Sequence, residues 1–351
     1  MIKCAGAAAL AALLAISAGC GSPGEPLTAH HSGRRVGEFD VDGEYLAYEW
    51  TPAQLMSTQG HLVLANLTTG EERELVSDLQ GPLALSAGRL AWWNSKERDE
   101  ENESDLILYD CRRGERAVAA HERVGGLDLD GAHLVYSRRY PRGEDVVLRD
   151  LETGESRVIS SGGEAGTHRN EEPTAGGGYA AWLSYEYSTR EYTLEIENLE
   201  TGEESRVPLG RHRTRMSLSP PYLAYTRQTE AGTEIRLYNV ETGADSLAAT
   251  RGRFTAGPYV EGDLLAWSEH ITAEEYDRRP IPGQPLMDER DVREIFLHRI
   301  SNGKTEKISD ALIASGGRVE IHGGRVYMNV YRDPPPPRRS NLVVDVDLRV
   351  W

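Results

Sequence analysis

Residues 62–70 read Leu-Val-Leu-Ala-Asn-Leu-Thr-Thr-Gly, an apolar strand followed by a polar turn, and this pattern recurs along the chain. Other copies lie at 147–154, 194–202 and 235–243, with weaker ones at 106–114 and 295–303. Apolar-small-aromatic triplets precede the copies, with aromatic residues Tyr48, Trp92, Tyr136, Trp182, Tyr225 and Trp267, and Val326-Tyr327-Met328 as a degenerate seventh triplet. The first six aromatic residues are 42 to 46 positions apart. Self-similarity at such a period predicts stacked or radially arranged structural repeats.

Each period contains four strand signals separated by turn signals. In the first period, 39–41 and 45–50 flank Asp42-Gly43, and 61–67 and 72–76 flank Thr69-Gly70. Glycine supplies the positive φ that tight hairpin turns require. No segment after residue 20 has a sustained helical period. The sequence therefore predicts an all-β fold, a seven-bladed β-propeller of four-stranded antiparallel blades over residues 35–351.

The repeats resemble the TolB-like propeller repeat, which is related to WD40 units. The resemblance rests on the apolar-Ala-aromatic strand, as in Leu46-Ala47-Tyr48, followed by an apolar strand and Thr-Gly turn, as in 235–243. It covers about residues 35–349, and it implies the fold but not the function, because propellers host binding proteins and enzymes alike. The chain has seven repeats and only a short lead, so the resemblance does not extend to a role in the Tol-Pal envelope machinery.

The last repeat supplies three strand signals, at 319–321, 325–331 and 342–348. An unpaired edge favours aggregation, so rings of this kind commonly borrow a strand from the other terminus. We expect residues 27–36 to complete the last blade; a partly ordered lead is the alternative.

The first residues have the pattern of a targeting segment. Lys3 precedes an apolar run at 5–16, and Ser17-Ala18-Gly19-Cys20 resembles a bacterial lipoprotein cleavage site. We predict a signal peptide at 1–19, a lipidated Cys20 that begins a flexible tether at 20–34, and an anchored location facing the periplasm or the cell surface. An ordinary secretory signal is the alternative.

Composition restricts the partners. The net charge is −17, which argues against nucleic acid and against broad attraction to anionic lipid headgroups. Of three cysteines, Cys4 leaves with the signal and Cys20 carries the lipid, so Cys111 has no intramolecular partner and is expected in the core. We expect a monomer without cofactors. Asp40-x-Asp42-Gly43 and Asp128-x-Asp130-Gly131 lack the later ligands of a calcium loop and are interpreted as hairpin turns.

Connection lengths distinguish the two faces of the predicted ring. First-to-second and third-to-fourth connections are tight, whereas the other connections are long and varied: 51–60, 94–104, 160–173, 269–293 and 332–340. Long variable loops on one face of a rigid scaffold are where binding usually occurs. Tolerated surface insertions are the alternative.

Candidate ligand-binding residues fall in these connections. Charged and polar candidates are His168, Arg169, Glu171, Glu172, Arg211, His212 and Arg213, and aromatic candidates are Trp93, Tyr185, Tyr187 and Tyr276. Together they can form a polar, anion-binding channel mouth with stacking surfaces. Each is also compatible with a solvated or packing role.

Two functions follow from these observations. The first is a non-catalytic, lipid-anchored protein that binds an envelope protein, peptide or glycan. The second is a propeller enzyme such as a metal-dependent polysaccharide lyase, for which His168, His212, His270 and His322 are the candidate ligands. The sequence contains no nucleophile elbow, zinc-protease motif or P-loop, so it names no catalytic residue.

Overall fold

The structure is a computed structural model. It describes residues 28–31, 35–51, 60–79, 81–95, 104–162, 165–251, 255–270, 293–308, 319–332 and 340–347. The predicted signal peptide, Cys20 and Tyr276 lie outside the described residues.

The described residues form 28 strands and no helix. We group the strands into sheets 1 to 7. Sheet 1 contains β2 (Arg35–Asp42), β3 (Tyr45–Thr51), β4 (Gly60–Asn66) and β5 (Glu72–Leu79). Sheet 2 contains β6 (Leu83–Ser86), β7 (Arg89–Ser95), β8 (Ser104–Asp110) and β9 (Glu115–His121). Sheet 3 contains β10 (Val124–Asp130), β11 (His133–Tyr140), β12 (Gly143–Asp150) and β13 (Ser156–Ser160). Sheet 4 contains β14 (His168–Gly176), β15 (Tyr179–Glu186), β16 (Glu191–Asn198) and β17 (Glu204–Gly210).

Sheet 5 contains β18 (Met216–Ser219), β19 (Tyr222–Thr229), β20 (Gly232–Asn239) and β21 (Asp245–Arg251). Sheet 6 contains β22 (Thr255–Glu261), β23 (Leu264–His270), β24 (Arg293–Arg299) and β25 (Lys304–Lys307). Sheet 7 contains β26 (Val319–His322), β27 (Arg325–Arg332), β28 (Ser340–Asp347) and the first strand of the chain, β1 (Thr28–His31). Strands within each sheet pair antiparallel, and one parallel pair, Glu144 with Arg169, joins sheets 3 and 4 into an eight-stranded sheet.

Sheet 7 is completed from the start of the chain. Thr28 pairs with Asp345 and His31 with Leu342, so β1 lies antiparallel to β28. Of the expected segment 27–36, residues 28–31 supply the missing strand, so part of the predicted tether 20–34 belongs to sheet 7, whereas Arg35 and Val36 begin β2 of sheet 1. β1 covers the edge that the last three strands would otherwise leave unpaired.

The first strands of the sheets form a closed ring. β2, β6, β10, β14, β18 and β22 each pack against the first strand of the next sheet, and β26 packs against β2. The first strands are therefore innermost, the position that surrounds the central channel in a β-propeller, while β5, β9, β13, β17, β21 and β25 lie at the outer edge.

The core lies between neighbouring sheets. One cluster joins Ala47 and Leu62 of sheet 1 to Leu90 and Trp92 of sheet 2. Trp92, Tyr225 and Trp267 of the repeated triplets are completely buried. These aromatic side chains therefore pack between neighbouring sheets, as predicted, because the apolar face of each sheet is buried against the next sheet.

The turns between the first and second strands of each sheet lie on one face of the ring, which we call the tight-turn face. These turns form hydrogen bonds to the neighbouring sheet. A turn glycine donates its backbone N–H to the residue that ends the first strand of the preceding sheet. Such bonds run from Gly88 to Asp42 (3.1 Å), Gly131 to Ser86 (3.0 Å), Gly262 to Ser219 (3.4 Å), Gly323 to Glu261 (3.2 Å) and Gly43 to His322 Nε2 (2.7 Å). The last bond joins sheet 1 to sheet 7 and so closes the ring on this face.

A second set of bonds links the innermost strands. Asp40 Oδ2 accepts the N–H of Leu85 at 2.7 Å. Asp128 Oδ2 accepts the N–H of Ala175 at 2.9 Å and the hydroxyl of Thr174 at 2.7 Å. The Asp-x-Asp-Gly segments are hairpin turns, as predicted, but their first aspartates also bridge neighbouring sheets.

Third-to-fourth turns on the tight-turn face share one cap. The Oδ1 atom of an Asn or Asp accepts the N–H groups two and three residues later, at Asn66, Asp110, Asp150, Asn198 and Asn239. This is the Asx-turn geometry that short polar side chains favour. Backbone N–H groups lower the pKa of Asp110 and of Asp150, because they stabilise the ionised carboxylate.

Candidate ligand-binding site

The opposite face carries the second-to-third and fourth-to-first connections, and we call it the long-loop face. Here the innermost strands begin. We compare the residues four positions before the end of each first strand, which is the position of Glu172 in β14. In sheets 1 to 6 these residues are Glu38, Pro82, Gly126, Glu172, Arg215 and Gly257. Among sheets 1 to 6, sheets 1, 4 and 5 carry charged residues there and sheets 2, 3 and 6 carry proline or glycine.

Glu172 adopts a backbone conformation that glycine usually occupies. Its φ is 52°, and the equivalent Gly257 in sheet 6 also has a φ of 52°. Both residues lie in a bulge, where the register shifts between Glu171 and Thr174 and between Ala256 and Tyr259. A residue with a Cβ pays about 1–2 kcal/mol for this conformation. Sheet 4 therefore holds a glutamate where the backbone favours glycine, which is a pattern found at functional sites.

An ion-pair network surrounds Glu172. Arg213 Nη2 lies 2.7 Å from Glu172 Oε1 and 3.1 Å from Glu171 Oε2. The other oxygen of Glu171 lies 3.2 Å from Arg169 Nη2. Glu171 is almost buried, whereas the side chain of Arg213 is 50% exposed. The network therefore links a buried carboxylate to a guanidinium that reaches solvent.

The electrostatics of Glu172 extend across the channel. Burial raises its pKa, Arg213 and Arg215 oppose this, and Glu171 and Glu38 add to it. Glu38 belongs to sheet 1, three sheets away along the ring. Charged groups from sheets 1 and 5, Glu38 and Arg215, therefore act on the carboxylate of Glu172 in sheet 4.

Tyrosines flank the network on its outer side. The Arg169 guanidinium carbon lies 5.8 Å from the ring centroid of Tyr185, within cation–π range. Tyr185 contacts Tyr192, with centroids 4.8 Å apart, and Tyr187, with centroids 5.4 Å apart. Burial and the nearby Glu171 raise the pKa of Tyr192. Tyr187 is 41% exposed, so this aromatic group is accessible from solvent.

Buried polar groups lie beneath the mouth. Asn170 is completely buried, and within the described part of the chain neither its Oδ1 nor its Nδ2 has a hydrogen-bond partner. Glu144 of sheet 3 lies 3.2 Å from Arg139 Nε, and burial raises its pKa. An unpartnered buried amide costs about 1–3 kcal/mol. Such a cost in the strand that carries Glu171 and Glu172 is typical of a site selected for function rather than stability.

The connection from β17 to β18 crosses this face. Arg211, His212, Arg213 and Arg215 are exposed, whereas Thr214 between them is 3% exposed. Thr214 Oγ1 accepts the N–H of Thr226 at 2.8 Å and donates to the carbonyl of Arg215 at 2.8 Å. Thr214 therefore anchors the connection while the basic side chains remain outside.

The structure brings together five of the predicted candidates: Arg169, Glu171, Glu172, Arg213 and Tyr185. Arg211 and His212 lie on the adjacent connection. His168 precedes Arg169, and its Nδ1 contacts the hydroxyl of Thr167 at 3.0 Å. Trp93 lies apart, packed beside the core between sheets 2 and 3.

One boundary differs from the sequence prediction. Residues 160–173 were expected to be a connection, but β14 begins at His168. His-Arg-Asn-Glu-Glu-Pro has no apolar alternation, and the bulge at Glu172 interrupts the strand period. Sequence reasoning also missed Glu38, Tyr192, Thr214 and Arg215. The Arg-His-Arg-Thr-Arg run was a signal for Arg215, whereas nothing local marked the others.

One of the four histidines considered for the enzymatic alternative lies on the face opposite to the others. His322 lies on the tight-turn face, and His168 lies on the long-loop face. Among the residues that the structure describes, no group of three or more His, Cys, Asp or Glu side chains can hold a metal ion. In the same part of the chain, no helix has the length and apolar character to cross a membrane.

Comparisons with known proteins agree with this architecture. A puromycin-hydrolyzing peptidase of Mycobacterium tuberculosis aligns with a TM-score of 0.61 at 13% identity, over 90% of this chain and 51% of that one. A prolyl endopeptidase aligns with a TM-score of 0.56 at 13% identity, over 88% and 46%. The β-propeller domain of the Trilobed protease from Pyrococcus furiosus aligns with a TM-score of 0.51 at 11% identity, over 87% and 79%. No family model and no curated protein sequence matches the chain.

At these identities the likeness concerns the fold alone. The chain is an all-β protein with antiparallel four-stranded sheets and a β-propeller fold, so this part of the sequence prediction is confirmed. TolB from Acinetobacter baumannii is also among the matching structures, with a TM-score of 0.45. The chain spans about half the length of the two peptidases.

Proposed function

We propose that this chain is a seven-bladed, TolB-like β-propeller, anchored by a lipid on Cys20, that binds a protein, peptide or glycan partner through its long-loop face without catalysis. Residues 1–19 would be removed as a signal peptide, and residues after Cys20 would tether the propeller outside the cytoplasm. The seven strand groups and the packing of β26 against β2 support the blade number. The Ser17-Ala18-Gly19-Cys20 sequence supports the anchor.

One observation carries the binding function. The network of Arg169, Glu171, Arg213 and Glu172 occupies a channel mouth where sheets 2, 3 and 6 have only proline or glycine at the equivalent position. Sheets 2, 3 and 6 pack against their neighbours without a charge at this position, so packing between sheets does not require one. Several matching propellers belong to proteins named as peptidases, which supports a polypeptide as ligand.

Site-directed crosslinking tests the face. A photoreactive amino acid is placed at Tyr187 on the long-loop face, and in a matched variant at Glu241, in a turn of the tight-turn face. After irradiation of cells, we expect a discrete covalent adduct from position 187 and none from position 241. Equal adducts from both positions, or none from either, would contradict the proposal.

Acyl labelling tests the anchor separately. We expect the chain to incorporate radiolabelled palmitate and to sediment with membranes, and Cys20→Ala to lose both properties. Cys111→Ser is the matched control, because it removes a thiol that faces the core. Unchanged labelling of Cys20→Ala would exclude the anchor and leave the binding face untouched.

A further inference from the structure

The connection between sheets 4 and 5 concentrates positive charge in an acidic protein. Arg211, His212, Arg213 and Arg215 fall within five consecutive positions, whereas the whole chain has a net charge of −17. All four side chains are exposed. Charges farther apart than about 8 Å are largely screened at physiological salt. A ligand at this connection therefore experiences the local positive charge rather than the net negative charge.

Most of the hydrogen-bond donors of this connection are not used by the residues that the structure describes. Within the network, Arg169 and Arg213 balance Glu171 and Glu172. The side chains of Arg211, His212 and Arg215 make no hydrogen bond or ion pair with the described residues. Arg211 and Arg215 thus remain as two available guanidinium groups on either side of Arg213.

The guanidinium group of Arg213 is oriented by ion pairs, but only one of its nitrogens takes part in them. Its Nη2 serves both Glu171 and Glu172, while Nε and Nη1 make no hydrogen bond with the residues that the structure describes. The next residue, Thr214, holds the backbone of the connection through its two hydrogen bonds. A guanidinium held in this way loses little side-chain entropy when a carboxylate binds its free edge.

We propose that this connection and the adjoining channel mouth bind an acidic segment of a polypeptide, with Arg213 and Arg215 receiving a carboxylate and Arg211 extending the contact outward. This inference rests on the proposed binding function and specifies its ligand. The planar guanidinium matches a carboxylate through two parallel hydrogen bonds.

The surroundings favour a polypeptide over a phosphate. Glu172, beside Arg213, can accept a hydrogen bond from a peptide N–H group. Tyr185 and Tyr187 beside the mouth offer an aromatic surface for an adjoining side chain. A polypeptide supplies carboxylate, N–H and apolar groups together, whereas a phosphate supplies only acceptor oxygens.

Binding of a defined probe tests the inference. Fluorescence anisotropy of a fluorescein-labelled peptide of alternating Glu and Gly is measured with the detergent-solubilised full chain, and a Lys-Gly peptide of equal length serves as the opposite probe. We expect the Glu-Gly peptide to bind, more weakly at higher salt, and the Lys-Gly peptide to bind less tightly. Arg211→Gln and Arg215→Gln should each weaken binding roughly three- to tenfold.

Arg227→Gln is the matched control. Arg227 is exposed on β19 of sheet 5, and its side chain has no partner among the described residues. It should leave affinity unchanged, and all three variants should retain the melting temperature. Equal weakening by Arg227→Gln, tighter binding of the Lys-Gly peptide, or stronger competition by polyphosphate than by unlabelled Glu-Gly peptide would each overturn the inference.

The crosslinking assay separates this inference from the proposed function. If the adduct at position 187 persists while excess Glu-Gly peptide neither binds nor competes, the acidic ligand is wrong and the binding face stands. If adduct and peptide binding are both absent, both proposals fail.

Discussion

The two faces of this propeller differ in how they use polar residues. On the tight-turn face, the same bonds recur from sheet to sheet: turn glycines donate to the preceding sheet, and Asn or Asp residues cap the third-to-fourth turns. On the long-loop face, the position of Glu172 holds proline or glycine in sheets 2, 3 and 6, and the ion pairs of sheet 3, such as Arg139 with Glu144, come from its second and third strands instead. Polar residues that repeat serve the architecture, whereas polar residues that occur once are candidates for function.

The largest expected effect is on the alkylation rate of Cys111, which tests how well the tight-turn face shields this thiol from solvent. Burial, then the negative charges of Asp110 and Asp42, raises the pKa of its thiol from 9.0 to about 12. Since the thiolate is the reactive form, alkylation by iodoacetamide at pH 8 should be about a thousandfold slower in the folded protein than in urea. Mass spectrometry of the alkylated peptide measures the rate, with Cys111→Ser as background. Equal rates would show that this turn is open.

Asp128 should give the largest stability effect among the bridges between sheets. Asp128→Ala leaves the N–H of Ala175 and the hydroxyl of Thr174 without their acceptor, so we expect a loss of about 2–3 kcal/mol in the free energy of unfolding. Ser217→Ala, which removes one bond of 3.2 Å to Val260, should cost about 1 kcal/mol. Urea denaturation measures both. Similar losses would show that the two bridges are equivalent.

His322 tests the closure of the ring on the tight-turn face. His322→Ala removes the acceptor of the Gly43 N–H and should lower stability by about 1 kcal/mol. Ser86→Ala removes the corresponding acceptor between sheets 2 and 3 and should cost a similar amount. A loss in Ser86→Ala alone would mean that the bond between sheets 7 and 1 contributes nothing.

The smallest effect belongs to Glu172 and sharpens the contrast between stability and function. In Gly257→Ala the new Cβ meets no atom of the described residues within 4 Å, so its expected cost of about 1 kcal/mol comes from the positive φ. Glu172→Gly relieves the same strain while losing the contact with Arg213, so stability should stay within about 1 kcal/mol of wild type. Thermal and urea unfolding of both variants test this. If Glu172→Gly lowers the free energy of unfolding by well over about 1 kcal/mol, Glu172 stabilises the fold rather than serving binding alone.

Residues that repeat were predictable from sequence, and residues that meet only in three dimensions were not. Trp92 and Trp267 were assigned to packing between neighbouring sheets, and both are fully buried. Arg213 and Glu172 are 41 positions apart, and no local pattern links them. The pairing of Arg169 with Tyr185 follows from the β14–β15 register, which the bulge at Glu172 makes hard to infer from periodicity.

The amino-acid sequence by itself determined the repeated four-stranded unit, its tight turns and the residues that fill the spaces between sheets. It could do so because strand alternation, glycine turns and buried aromatic triplets are local properties that recur at a fixed spacing. Tertiary structure alone decided which single charged residues face each other at the channel mouth. Ring closure brings Glu172 and Arg213 within 2.7 Å of each other from separate parts of the chain, and it brings Glu38 close enough for its charge to act on Glu172.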